Sequence, residues 1–149
     1  MIRWQFLLLD SADRPLRTLD GVTGGSAEIV AQDQLGGSAK LTLDQRGDID
    51  WMSNRVQAIC HDGDSSWAVG TYLFASPDAN HTAFGLTFDV GLLTKMNVIQ
   101  EDTVEERFSV PAGAAVIPTV VSLIQSTGET RIAATNTGVT TTSGMTWEA

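Results

Sequence analysis

Three stretches of this chain place an apolar residue at every second position: Ala27-x-Ile29-x-Ala31, Ala39-x-Leu41-x-Leu43 and Val56-x-Ala58-x-Cys60. Glu28, Lys40, Thr42 and Asp44 occupy alternate positions in and after the first two. Successive side chains of a strand point to opposite faces, so this period predicts half-buried β-strands. The first two stretches each begin in the tetrapeptide Gly-Gly-Ser-Ala, at 24–27 and again at 36–39. That spacing holds one strand of about seven residues and the turn Asp33-Gln34-Leu35-Gly36-Gly37. The glycines are therefore expected to be turn residues that open two strands. A phosphate cradle would need glycines between a strand and a helix, with GxGxxG or Gly-Lys-Ser/Thr spacing. Here each pair leads into strand-type alternation instead.

The rest of the chain continues the pattern. Residues 2–9 are rich in β-favouring side chains and end at the polar group Asp10-Ser11-Ala12-Asp13-Arg14-Pro15. After Cys60, the run His61-Asp62-Gly63-Asp64-Ser65-Ser66 predicts a hairpin turn, with Asp-Gly at the tip and residues 67–74 returning. Pro77-Asp78-Ala79-Asn80 predicts the next break, and residues 82–90 alternate again through Phe84, Leu86 and Phe88. Residues 104–110 predict a further strand. One flanking helix is expected over about 114–127, starting near Val116, because Ile117, Val120, Val121 and Ile124 recur at helical spacing. Pro118 fits within its first turn, and Gly128 sits where a left-handed C-terminal residue is expected. The Thr/Gly/Ser-rich remainder ends in Met145-Thr146-Trp147, which predicts a last strand. Continuation of the natural polypeptide past Ala149 is expected. The fold class is thus mainly β, in one domain over residues 1–149.

Charge narrows the function. The formal net charge is −9, from 18 acidic and 9 basic residues, with no basic cluster. Specific nucleic-acid binding draws on neutralised phosphates, so this chain is expected to repel DNA and RNA. An acidic wall suits a surface past which DNA slides without sticking. The apolar runs, such as residues 6–9, are far shorter than the roughly 20 residues of a membrane span. The amino end lacks a small-residue cleavage pattern, so no secretory signal is expected. The single cysteine, Cys60, excludes an internal disulfide and a cysteine zinc site.

No catalytic, cofactor or metal residues are expected. His61-Asp62-x-Asp64 lacks the spacing of a calcium or zinc site and is read as a solvated hairpin tip. Cys60 and His61 are adjacent on a strand and point apart, which precludes a thiolate dyad. The carboxylate pairs Asp48/Asp50, Glu101/Asp102 and Glu105/Glu106 are expected from acidic composition alone. Trp4, Trp51, Trp67 and Trp147 are read as core or subunit-interface anchors rather than a sugar platform.

The order of several stretches resembles the amino-terminal domain of siphophage baseplate-hub proteins, also called minor tail or tail-associated proteins. The stretches are LDGVTGGSAEI, GGSAKLTLDQRGDIDWMSNRV, WAVGTYLFASP, FDVGLLTKMNVIQEDTV with FSVPAGAAV, and SGMTWEA. They cover most of residues 17–149. The chain departs from the family in having Ala68-Val69 where Pro-Leu is common before the hairpin glycine.

The resemblance implies a tail-tube-like antiparallel β-barrel or sandwich with one flanking helix. It implies a virion structural protein at the distal end of the tail, made in the bacterial host cytoplasm. There a homotrimeric hub ring would close the tail tube, surround the DNA channel, and act in genome ejection. The implied partners are further copies of the chain, the distal tail protein, the tape measure protein and tail fibre or tip proteins. Three alternatives stand beside it. They are a β-sandwich adhesion module that binds host carbohydrate through loops such as residues 65–67, a distal tail adaptor, and a cell-envelope hydrolase.

Overall fold

The computed structural model describes residues 1–30, 36–44, 48–83, 85–102 and 108–147. They group into two compact units, Met1–Asn97 and Val98–Ala149.

The first unit holds β1 (Ile2–Leu9), β2 (Pro15–Thr18), β3 (Val22–Ile29), β4 (Gly37–Leu43), β5 (Arg55–Asp62), β6 (Ser65–Thr82) and β7 (Gly85–Thr94). These form one sheet in the order β2-β1-β5-β6-β7-β4-β3, and every neighbouring pair is antiparallel. The fold is mainly β, as the alternation predicts. Of the barrel and sandwich alternatives, ladder pairing does not close a barrel, because β2 and β3 remain as edges.

Core burial follows the sequence period most clearly in β4, where Ala39, Leu41 and Leu43 are buried and Lys40 is exposed. Val56, Ala58 and Cys60 are likewise buried along β5. Ala39, Leu41, Leu43, Val56 and Ala58 meet Leu8, Tyr72, Phe74, Phe88, Val90 and Leu92 in one apolar cluster.

Strand β6 is 18 residues long. Its first half pairs with β5 as far as Leu73, and its second half pairs with β7 from Tyr72 onward. The break expected at Pro77-Asp78-Ala79-Asn80 is absent: Pro77 pairs with Val90, and the strand runs on to Thr82. A register shift between Phe74 and Pro77 explains why. Proline has no N–H for a regular ladder, and an irregularity is where a strand tolerates one.

The first Gly-Gly-Ser copy also departs from expectation. Gly24 and Gly25 lie inside β3, paired with Thr42 and Leu41, and not in a turn. Beyond Val22, β3 is exposed on both faces, so Ala27 and Ile29 are not half-buried. The reason is position: an edge strand of an open sheet has a neighbour on one side only. The second copy does open a strand. Gly36 and Gly37 have φ of 71° and 129°, and Val30 N–H bonds Gly36 O at 3.2 Å. Ala31, residues 33–35 of the turn, and Phe84 lie outside the described residues.

The expected single helix becomes two. Helix α1 (Met96–Glu101) has no acidic first turn and no basic last turn to mark it in sequence. Helix α2 (Val116–Ser126) is the expected one, ending at Thr127 with Gly128 at φ 90° and its N–H bonded to Gln125 O at 3.1 Å.

In the second unit, β8 (Phe108–Val110) pairs with β9 (Met145–Trp147). Trp147 lies across from Phe108, with ring centroids 5.9 Å apart. Of the strand expected over 104–110, residues 104–107 lie outside the described residues. Thr141 clamps the segment before α2: its Oγ1 donates to Pro111 O at 2.8 Å and accepts from Ala114 N–H at 3.1 Å.

Candidate interaction site

The most distinctive place in the first unit is where the sheet fails to close. Leu19 N–H bonds Phe6 O at 2.8 Å, beyond the pairing of β2 with residues 7–9 of β1. Below that bond, among the described residues, β1 has a strand partner only in β5. Backbone groups alternate in direction along an antiparallel strand. Phe6 O faces the open side, so the N–H and C=O groups of Trp4 and Ile2 face it as well.

The same rule places the opposite edge. Val30 N–H reaches across to Gly36 O, so Glu28 and Ser26 also bond towards β4. Gly25, Ala27 and Ile29 then direct their N–H and C=O groups away from it. Between these edges lies a cleft of about 260 Å³, lined by residues 22–27 of β3, by Trp4 and Phe6, and by core residues such as Leu41 and Tyr72.

Aromatic side chains mark its β1 side. Trp4 pairs with Cys60, which pairs in turn with Trp67, so the three share one face of the sheet. Cys60 is buried at 4 % exposure, whereas Trp4 and Trp67 remain 51 % and 50 % exposed. Trp4 also stacks on Phe6, with centroids 6.5 Å apart. On β3, beyond the residues that line the cleft, Ile29 is 70 % exposed.

The other residues singled out in the sequence fall in separate places. His61 Nε2 lies 3.0 Å from Gln5 Oε1, and Asp62 lies 3.5 Å from the terminal ammonium of Met1. Asp50 organises a turn by accepting the N–H groups of Met52 and Ser53. Hydrogen bonds from the Ser53 side chain and these N–H groups hold its carboxyl below the ordinary value. Asp48, Glu101 and Asp102 are exposed, and Glu105 and Glu106 lie outside the described residues. Trp51 is half-buried against Phe74 and Phe88, with centroids 5.2 and 6.2 Å away. Among the described residues, no group of three or more His, Cys, Asp or Glu is placed to hold a metal ion. No helix there is long and apolar enough to cross a membrane.

One cluster had no sequence signal. Asp13, at φ 58°, accepts from Arg55 Nη1 at 2.9 Å and from Lys95 Nζ at 2.7 Å. Burial pushes its carboxyl up, but the hydrogen bonds and charges of Lys95 and Arg55 outweigh this and hold it below the ordinary value. With its carboxylate held between two cations, Asp13 fastens the turn after β1 to the start of β5 and the end of β7. No known protein family matches the chain, and no curated protein matches it in sequence.

Proposed function

We propose that this chain is a structural protein of a bacteriophage tail tip, a tail-tube-like domain of the baseplate hub that surrounds the DNA channel. The observation that carries the reading is the open sheet, whose edge strand β3 holds exposed Ala27 and Ile29 where a monomer would cover or charge them. Surfaces of this kind suit a chain that is completed by its neighbours. The mainly antiparallel β architecture and the order of the matching stretches along residues 17–149 agree with it. The net charge of −9 suits a channel wall that lets DNA pass. The mechanism is mechanical: copies pack into a ring beneath the tail tube, against the distal tail protein, the tape measure protein and the fibre or tip proteins. Opening of that ring releases the genome.

Mass measurement and negative-stain electron microscopy of the assembled particle test the proposal. A ring of three copies is expected. Six copies would move the chain to the distal tail adaptor or tube. A stable monomer that binds glycans on an array would replace both with an adhesion module, for which Trp67, half-exposed beside the β5–β6 hairpin tip, is the favouring observation.

A further inference from the structure

We infer that the cleft between β1 and β3 receives a strand from a different polypeptide, an extended and uncharged segment with apolar residues at every second position. The inference stands on the first unit alone and does not depend on the virion proposal.

Two rows of backbone groups define the occupant. The outward N–H and C=O groups of Trp4 lie on one wall and those of Gly25 and Ala27 on the other, and the outward groups of Ile2 and Ile29 continue the same two edges. Among the described residues, neither row has a ladder partner. An inserted strand satisfies both rows at once, as in β-strand addition to a sheet edge. A compact apolar molecule would fill the floor and leave every one of those groups as it is.

The floor sets the side-chain pattern. Phe6, Leu41 and Tyr72 present apolar surface to a space of about 260 Å³. Strand β3 contributes little of its own there: Gly25 has no side chain, and a Cβ on it would be blocked by Lys40 O at 2.8 Å and Leu41 Cδ2 at 3.0 Å. Ala27 adds one methyl. Apolar side chains from alternate positions of a visiting strand would take the room that β3 leaves empty.

Charge sets the remaining constraint. Among the described residues, Lys40 is the single charged residue lining the cleft, in a chain whose net charge is −9. Lys40 is exposed and alternates with buried Ala39 and Leu41, so its side chain lies on the face opposite the floor. A charge entering the floor would meet no partner there, and the complementary segment is neutral where it is inserted.

The test uses the 149-residue chain and an end-blocked heptapeptide of alternating threonine and valine. Hydrogen exchange at the Trp4 and Ala27 amides and Trp4 fluorescence are followed as the peptide is added. Both amides should slow by about tenfold or more while the fluorescence shifts to the blue. Ala27→Pro deletes one outward N–H at an edge position, where proline is tolerated, and should weaken the peptide about tenfold. If that variant does not fold, Ala27→Lys places an ammonium in the cleft and should weaken binding in the same way. Unchanged exchange with saturating peptide overturns the inference. A fluorescence shift without amide protection also overturns it and makes the cleft a small-molecule site. Protection that rises with protein concentration and needs no peptide assigns the cleft to a second copy instead.

Discussion

Lys95 Nζ lies 2.7 Å from Asp13 Oδ2, although 82 residues separate the two in the chain. Arg55 holds the other carboxylate oxygen at 2.9 Å, and all three side chains are largely shielded, at 9–23 % exposure. The pair therefore acts as a tie between remote parts of the sheet, with less screening than an exposed ion pair.

Replacing Asp13 should be costly, because it leaves two shielded cations without their shared anion. Asp13→Asn keeps a residue suited to the positive φ and removes only the charge. A loss of about 3 kcal/mol is expected in urea unfolding, against little or no loss for exposed Asp64→Asn. Equal losses for the two variants would show that the shielded pair has no special role.

Acid should reveal the same tie. The Asp13 carboxyl is held below its ordinary 3.8, so its contribution is fully present above that value. As pH falls through the depressed native value, the unfolded chain takes up the proton more readily and the contribution disappears. Denaturation midpoints of the native protein and Asp13→Asn should converge as pH drops from 5 to about 2. A gap that stays constant over this range would contradict the linkage.

Gly36 and Gly37 should respond differently to alanine. A Cβ on Gly37 would sit 2.0 Å from Glu28 O, whereas one on Gly36 meets nothing within 4 Å. Gly36→Ala should cost about 1 kcal/mol for its left-handed backbone. Gly37→Ala should cost roughly 3 kcal/mol and disturb the β3–β4 ladder, which amide chemical shifts of β3 and β4 would report.

Trp51 packs edge-on against Phe74 but keeps partial exposure, so truncation removes a lid from the core without opening a full internal cavity. Trp51→Ala is expected to cost about 3 kcal/mol, at the lower end for buried aromatics. An unchanged melting temperature would refute the packing role.

Legibility in the sequence tracked the range of the forces involved. The alternation of Ala39, Leu41 and Leu43 and of Val56, Ala58 and Cys60 is a local record of burial, and the structure buries these residues. The same period at Ala27 and Ile29 misled, because alternation records a face without recording whether another layer covers it. Pro77 read as a stop because proline lacks a ladder donor, yet the register shift beside it absorbs the defect. Helix α1 has no acidic first turn and no basic last turn to betray it. The Asp13–Arg55–Lys95 cluster was invisible for a different reason: each member sits in an ordinary polar context, and only long-range pairing joins them. The cleft edges were hidden likewise, since a free backbone edge has no residue signature.

Strand β6 has a consequence for how the sheet fails. Tyr72 and Leu73 are paired on both sides, to Val56 and Arg55 in β5 and to Thr94 and Leu93 in β7. The two ladders are thus spliced over a shared two-residue overlap, and neither can shift its register without dragging the other. Melting of the first unit should therefore propagate through the splice as a single cooperative event, while the unpaired edges of β1 and β3 can breathe without it.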